Sequence, residues 1–184
     1  MRPAVGTAQP LPEGHYPATS RTALPRGLRP YLVAPLLLLL GGLPVLRALG
    51  ALGLAPLASW HSAARHALAL MFVFTGVSHF LTRTRASLLR MIPGWVPFPG
   101  LALAATGGLQ VVGAAGLLLP ATAPLAARCL AALLVALFPA NVQAARKQVA
   151  IGDKPATPLG FRALVQVLFI ALLLWSTSRA AARG

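Results

Sequence analysis

Five long runs of Leu, Ala, Val and Phe dominate the chain, Tyr31 to Leu46, Ala67 to Thr82, Leu101 to Leu119, Leu125 to Gln143 and Ala163 to Ser178, and most are closed by an arginine or a proline. At 1.5 Å of rise per helical residue, runs of this length approach the ~30 Å of a bilayer's hydrocarbon core. In that solvent every backbone N–H and C=O must find its partner inside its own helix, so the menu narrows to apolar helices packed side by side. Composition agrees: 57% hydrophobic residues, 10% charged and a mean hydropathy of +0.75 leave too little polar surface to cover a water-soluble globule. The expected class is an all-α, multi-pass membrane protein.

Only two carboxylates, Glu13 and Asp153, stand against 16 Lys and Arg, for a net charge of +14. The cations are spread over the N-terminal stretch, the loops and the ends of the runs. They do not form a basic stripe interleaved with aromatics, which argues against a nucleic-acid partner and for the bilayer and its anionic headgroups. With five crossings, eleven cations fall on one side: those of the first thirty residues, Arg83, Arg85, Arg90, Arg146, Lys147, Lys154 and Arg162. Five, Arg47, Arg65, Arg128, Arg179 and Arg183, fall on the other. Without a crossing by the first run the division is nine against seven. Five spans in the cell membrane, with the N-terminus cytosolic and the C-terminus outside, fit the positive-inside rule better.

Residues 1–30 carry six prolines and four arginines without sustained periodicity, and read as a disordered basic tail rather than a cleaved signal peptide. Residues 31–58 read as a first membrane segment, bent near Gly41, Gly42 and Pro44, with Arg47 snorkelling. Residues 66–178 hold the other four spans. Within them, residues 83–100 are expected at the interface. Arg83 to Ile92 forms a short amphipathic helix with Leu81, Leu88 and Ile92 on one face and Arg83, Ser87 and Arg90 on the other. The three prolines of Pro93 to Gly100 exclude a helix there and leave Trp95 as an anchor.

Polar side chains inside the runs are few, and such residues are where function is sought first. Counting 1.5 Å per residue, His79, Asn141 and Gln166 lie ~6–7 Å inside Arg83, Arg146 and Arg162, and Thr106 and Gln110 ~9 and ~15 Å past Gly100. All fall in the same leaflet, whichever way the protein is inserted. One reading is a site for the head of a small amphipathic molecule, with His79 and Asn141 as hydrogen-bonding partners. The other is that these residues only tie helices together. His61 and His66 lie near the opposite interface without a carboxylate, and are expected to be solvated rather than metal ligands. Gly50-x-x-Gly53 and Gly113-x-x-Gly116 read as close-packing points. The single cysteine, Cys129, lies in an apolar run, excludes an internal disulfide and is expected in the core. No pattern supports hydrolysis or phosphoryl transfer, no residues are assigned to catalysis, and no span carries the Asp or Glu of a proton-coupled pump.

Four stretches, Phe74-Thr75-Gly76-Val77-Ser78-His79-Phe80, Met91-Ile92-Pro93-Gly94-Trp95-Val96-Pro97, Gly113 to Pro120 and Phe138-Pro139-Ala140-Asn141-Val142, occur in an order that resembles the DoxX family of small membrane proteins. The resemblance covers about residues 66 to 176 and implies a four-helix membrane bundle, here with an extra N-terminal span. It also implies a subunit of a redox-related assembly: the family takes its name from a component of quinone-coupled thiosulfate oxidation, and other members are linked to membrane oxidoreductase assemblies. Its third span often carries Glu where this chain has Gln110. The expectation is a membrane subunit, not a stand-alone enzyme, with a membrane or peripheral oxidoreductase partner. His79, Asn141, Gln110, Thr106 and Gln166 are its candidate ligand-binding residues, and a quinone head is the candidate ligand. A carrier for a small neutral solute and a non-catalytic membrane scaffold are the competing expectations.

Overall fold

The computed structural model describes residues 30–149 and 157–181, and among them every regular element is helical. In chain order these are α1 (Pro30–Ala51), a 3-10 turn (Ala55–Leu57), α2 (Trp60–Ser78), α3 (Thr82–Met91), α4 (Pro99–Leu118), α5 (Ala123–Ala136), α6 (Phe138–Arg146) and α7 (Leu159–Ala181). The tail assigned to residues 1–30 lies outside the described residues except for Pro30, as do Asp153 and Lys154.

Helices α2, α4, α5 and α7 close a ring in which each packs on the next and α7 returns to α2, while α1 lies against α2. The core of the ring is built from Ala67, Leu68, Met71 and Phe72 of α2, Ala114 and Leu117 of α4, Ala127 and Leu130 of α5, and Phe169 and Leu173 of α7. Alanine on α2 explains the tightness, because Ala63, Ala64 and Ala67 are fully buried and let neighbouring backbones approach. Large apolar side chains point outward instead, among them Leu37 and Val45 on α1, Leu109 and Val112 on α4, Val135 on α5 and Val167 on α7.

Four segments are long and apolar enough to cross a membrane: Ala34–Ala51, Pro99–Leu118, Ala123–Arg146 and Leu159–Ser178. Helix α2 reaches that standard only together with α3, across a 90° bend. Its composition accounts for this. It packs on α1, α4 and α7, carries Ala63, Ala64, Ala67 and Ala69 on its buried side, and holds His61, Arg65 and His66 in its first turns.

Several boundaries differ from those expected. Helix α1 runs unbroken through Pro35 and Pro44 and stops at Ala51, so 31–58 is not one segment. Gly53, at φ +109, turns the chain into the 3-10 turn. Helix α4 begins at Pro99, whose missing N–H is harmless at a first helical position, and follows Phe98 in a left-handed conformation. The fourth apolar run is interrupted at Leu137, two residues ahead of Pro139, and becomes α5 and α6. In α3 the buried residues are Ser87 and Met91, so Ser87 belongs to the packed face and not to the solvent face with Arg83. Cys129 is exposed on α5, since Ala126, Ala127 and Leu130 take the inward positions.

Of the two glycine pairs expected to mark close packing, Gly113 and Gly116 do so: a Cβ would come within 2.6 Å of Leu130 Cδ2 at the first and 2.9 Å of Ala126 Cβ at the second. Gly50 presses on the Leu57 carbonyl, whereas Gly53 has open space and serves only its backbone angle. Gly50→Ala places a methyl into the Leu57 backbone and 2.9 Å from Ala58 N. Because backbone cannot rotate aside, this change is expected to destabilise the α1–α2 turn by about 1–3 kcal/mol, read as a lower midpoint in detergent-solubilised thermal unfolding.

Candidate functional site

The polar residues expected as one cluster divide into two groups, each held by a different pair of helices. The first lies where α2 crosses α4. A Cβ on Gly76 would stand 2.8 Å from the Gly107 carbonyl oxygen and 3.2 Å from Gln110 Cβ, and one on Gly107 would stand 2.9 Å from His79 Cβ. Two facing glycines thus bring the backbones together and set His79 and Gln110 on either side of the crossing.

Within this group most polar atoms are spent on their own helix. Thr75 Oγ1 donates to the Met71 carbonyl at 3.0 Å, Ser78 Oγ to Thr75 at 2.6 Å, and Thr106 Oγ1 to Ala102 at 2.7 Å. His79 Nδ1 lies 2.8 Å from the Thr75 carbonyl oxygen. A carbonyl only accepts, so Nδ1 carries the proton and the neutral ring offers Nε2 as an acceptor. Gln110 is the exception. Its side chain is 4% exposed, and its Oε1 is buried without a hydrogen-bond partner. An amide oxygen removed from water and left unpaired costs about 1–3 kcal/mol, which makes this atom the unmet demand of the crossing.

The second group joins α6 to α7. Asn141 Nδ2 donates to Gln166 Oε1 at 3.0 Å, and Arg162 Nη1 donates to Asn141 Oδ1 at 3.3 Å. Arg162 Nε donates to the Thr157 carbonyl at 3.1 Å. The Arg162 side chain is buried, and its Nη2 has no partner. Asn141 and Gln166 are therefore engaged with each other and with a cation. This network ties α6 to α7. Nearby, Gln143 Nε2 donates to the Ile92 carbonyl at 3.1 Å and fastens the end of α3 to α6, beside the small cluster of Met91, Ala144 and Val149.

The sequence marks Arg162 as a boundary cation, whereas its partners make it a member of this network. The available signal was its spacing of four residues from Gln166, which puts both on one helix face. The Gly76–Gly107 crossing had no such signal, because the two glycines lie on different helices. At the opposite end of the bundle, His61 stacks on Trp175 with ring centroids 4.3 Å apart. There, too, His66 Nδ1 lies 2.8 Å from the Ser62 carbonyl oxygen. Both rings are thus engaged by the fold rather than simply solvated. Among the described residues no three His, Cys, Asp or Glu side chains gather, and no carboxylate occurs. What the α2–α4 crossing can do is hold a polar group by hydrogen bonds inside an apolar wall.

Residues 68–180 match the family described as Domain of unknown function (DUF8561), and the chain belongs to that family. The match begins in the third turn of α2 and ends within α7, so it takes in the ring helices and both polar groups while leaving α1 outside. No curated protein and no solved structure matches the chain.

Proposed function

We propose that this chain is a DoxX-type subunit of the cell membrane that holds the polar head of a small amphipathic molecule, of the quinol class, between α2 and α4. It has no redox centre of its own and delivers or retains its ligand for a redox-related assembly. In this reading α2 is a fifth crossing beside the four longer spans, and the N-terminus is cytosolic. The charge distribution supports that orientation, since the cations before α1, around α3 and between α6 and α7 outnumber those at the opposite end.

The observation that carries the ligand reading is the buried, unpartnered Oε1 of Gln110 beside the Gly76–Gly107 crossing. An oxygen acceptor asks for a donor. A hydroxyl satisfies it and the carbonyl of an oxidised quinone does not, and His79 Nε2, as a second acceptor, sets the same preference. The apolar faces of α2 and α4 would then accommodate the hydrocarbon part. The neutral amide of Gln110 cannot take up the protons that a quinol releases on oxidation, which fits holding a quinol better than oxidising it.

The test is gentle purification from the native membrane with mass spectrometry of co-eluting quinones, lipids and proteins, on wild type and on the His79→Ala, Gln110→Leu form. Retention of about one quinol per chain in wild type and its loss in the variant is the expected result. Solute flux in liposomes that depends on Gln110 would instead identify a carrier. Identical partners in both forms, with no quinol in either, would leave a scaffold.

A further inference from the structure

At the end of the bundle away from Gln110, a cavity of about 360 Å³ opens between the end of α1, the Ala55–Leu57 turn, α2 and the last turn of α4. This is within the size range of small-molecule sites. Its wall includes Leu46, Leu57, Leu70, Val73 and Leu118, and of the lining residues only His66 is polar. The Nδ1 proton of that ring is committed to the Ser62 carbonyl. The floor is held in place locally: Ser59 caps α2 by accepting from Ser62 N at 3.1 Å, and Ser62 Oγ donates to the Pro56 carbonyl.

Arg47 follows Leu46 of this wall. Its guanidinium lies 5.6 Å from the centroid of the Trp60 ring, a cation–π distance, and its Nε is buried without a hydrogen-bond partner. Arg65, which precedes His66, also has a buried and unpartnered Nε. The described residues contain no carboxylate to neutralise either one. An apolar cavity beside two cations without counter-ions among the described residues calls for a ligand with a hydrocarbon part and an anionic head. Trp60 is 54% exposed next to Arg47, as befits an aromatic at the headgroup level.

We infer that this cavity binds an acyl chain of an anionic phospholipid whose phosphate is held by Arg47. The planar guanidinium presents paired N–H donors along its edge that match phosphate oxygens, while the ring of Trp60 lies by the guanidinium at cation–π distance. Leu57, Leu70 and Val73 take up the chain. The site shares no residue with the α2–α4 crossing and goes beyond the quinol reading, requiring only that the protein lie in a bilayer.

Native mass spectrometry of the full chain tests this, after equilibration with equal amounts of phosphatidylglycerol and phosphatidylcholine of identical acyl chains. The expected result is one retained phospholipid per chain, with about a fivefold preference for the anionic headgroup, the scale set by one cation near a headgroup. Arg47→Gln abolishes the preference and Arg47→Lys keeps part of it. Val73→Phe fills the cavity from a position already 41% exposed and lowers retention of both lipids. A chain-length series on wild-type protein, from hexanoyl to palmitoyl phosphatidylglycerol, asks the same question without a substitution, and weak retention of the short lipid is expected. The His79→Ala, Gln110→Leu form keeps the lipid, which separates this site from the quinol reading. Equal retention of the two headgroups by wild type, a preference that survives Arg47→Gln, or indifference to chain length would each overturn the inference.

Discussion

Gly107→Val is expected to force α2 and α4 apart and to cost the bundle about 3 kcal/mol, the upper end of what overpacking a tight interface does. At that position a Cβ stands 2.9 Å from the Gly76 carbonyl oxygen, 2.9 Å from His79 Cβ and 2.9 Å from Phe80 Cε2. The carbonyl is part of a helix and cannot rotate away, so the helices themselves must move, and valine adds a branch to the collision. The neighbouring Gly108 is the control. A Cβ there meets nothing within 4 Å, and alanine is favoured over glycine in a helix interior by up to about 1 kcal/mol. Gly108→Ala should therefore be neutral or mildly stabilising. Thermal unfolding in mild detergent, followed by circular dichroism, distinguishes the two, and equal midpoints for both variants would sink the close-crossing argument. Because His79 lies at the same contact, any ligand held by His79 and Gln110 should be lost from Gly107→Val even under conditions where the variant stays folded.

The second large effect is expected in the α6–α7 network and is asymmetric. Asn141→Leu removes the acceptor of Arg162 Nη1 and the donor to Gln166 Oε1 together. It leaves a buried guanidinium held only through Thr157, in a chain whose described residues offer no carboxylate. A hydrogen bond to a charged group is worth about 1.5–3 kcal/mol, and the stranded cation adds desolvation, so a loss of about 3 kcal/mol is expected. Arg162→Met removes the charge instead and keeps an unbranched apolar stem. Removing the charge also removes its desolvation cost but leaves Asn141 Oδ1 without its donor, so this variant should lose about 1 kcal/mol, clearly less than Asn141→Leu. Combining it with Asn141→Leu and Gln166→Leu should recover most of the first loss, since the changes act on one network and are not additive. Unfolding midpoints of the three forms measure this. If Arg162→Met proves as damaging as Asn141→Leu, the guanidinium has a counter-ion beyond the described residues, and Asp153→Asn is the variant that identifies it.

The two groups of polar residues illustrate how far the residues alone could be read. Their depth along the helices followed from counting residues at a fixed rise, and His79, Asn141, Gln110, Thr106 and Gln166 were selected on that basis. Their partition was not legible. Asn141 turned to Gln166 and Arg162 because α6 packs on α7, whereas Gln110 turned into the α2–α4 crossing because two glycines let those backbones meet. Thr106 was on the expected helix, but it spends its hydroxyl on Ala102. Cys129 failed for the opposite reason, since an apolar run buried on one side only does not reveal which residues take that side.

By itself the sequence determined the class, an all-helical chain with apolar helices long enough to cross a membrane. Unbroken apolar runs, a near absence of carboxylates and cations at the ends of the runs are local properties, and the hydrophobic effect acts on each segment before it meets another. The tertiary structure decided which polar atoms are satisfied and which are left wanting. That outcome depends on the rotation of each helix about its axis, on backbone breaks such as the one at Leu137, and on close approaches such as Gly76 to Gly107. None of these is a property of a single segment, so Gln110 Oε1 and Arg47 Nε emerge as unmet groups only once the helices are packed.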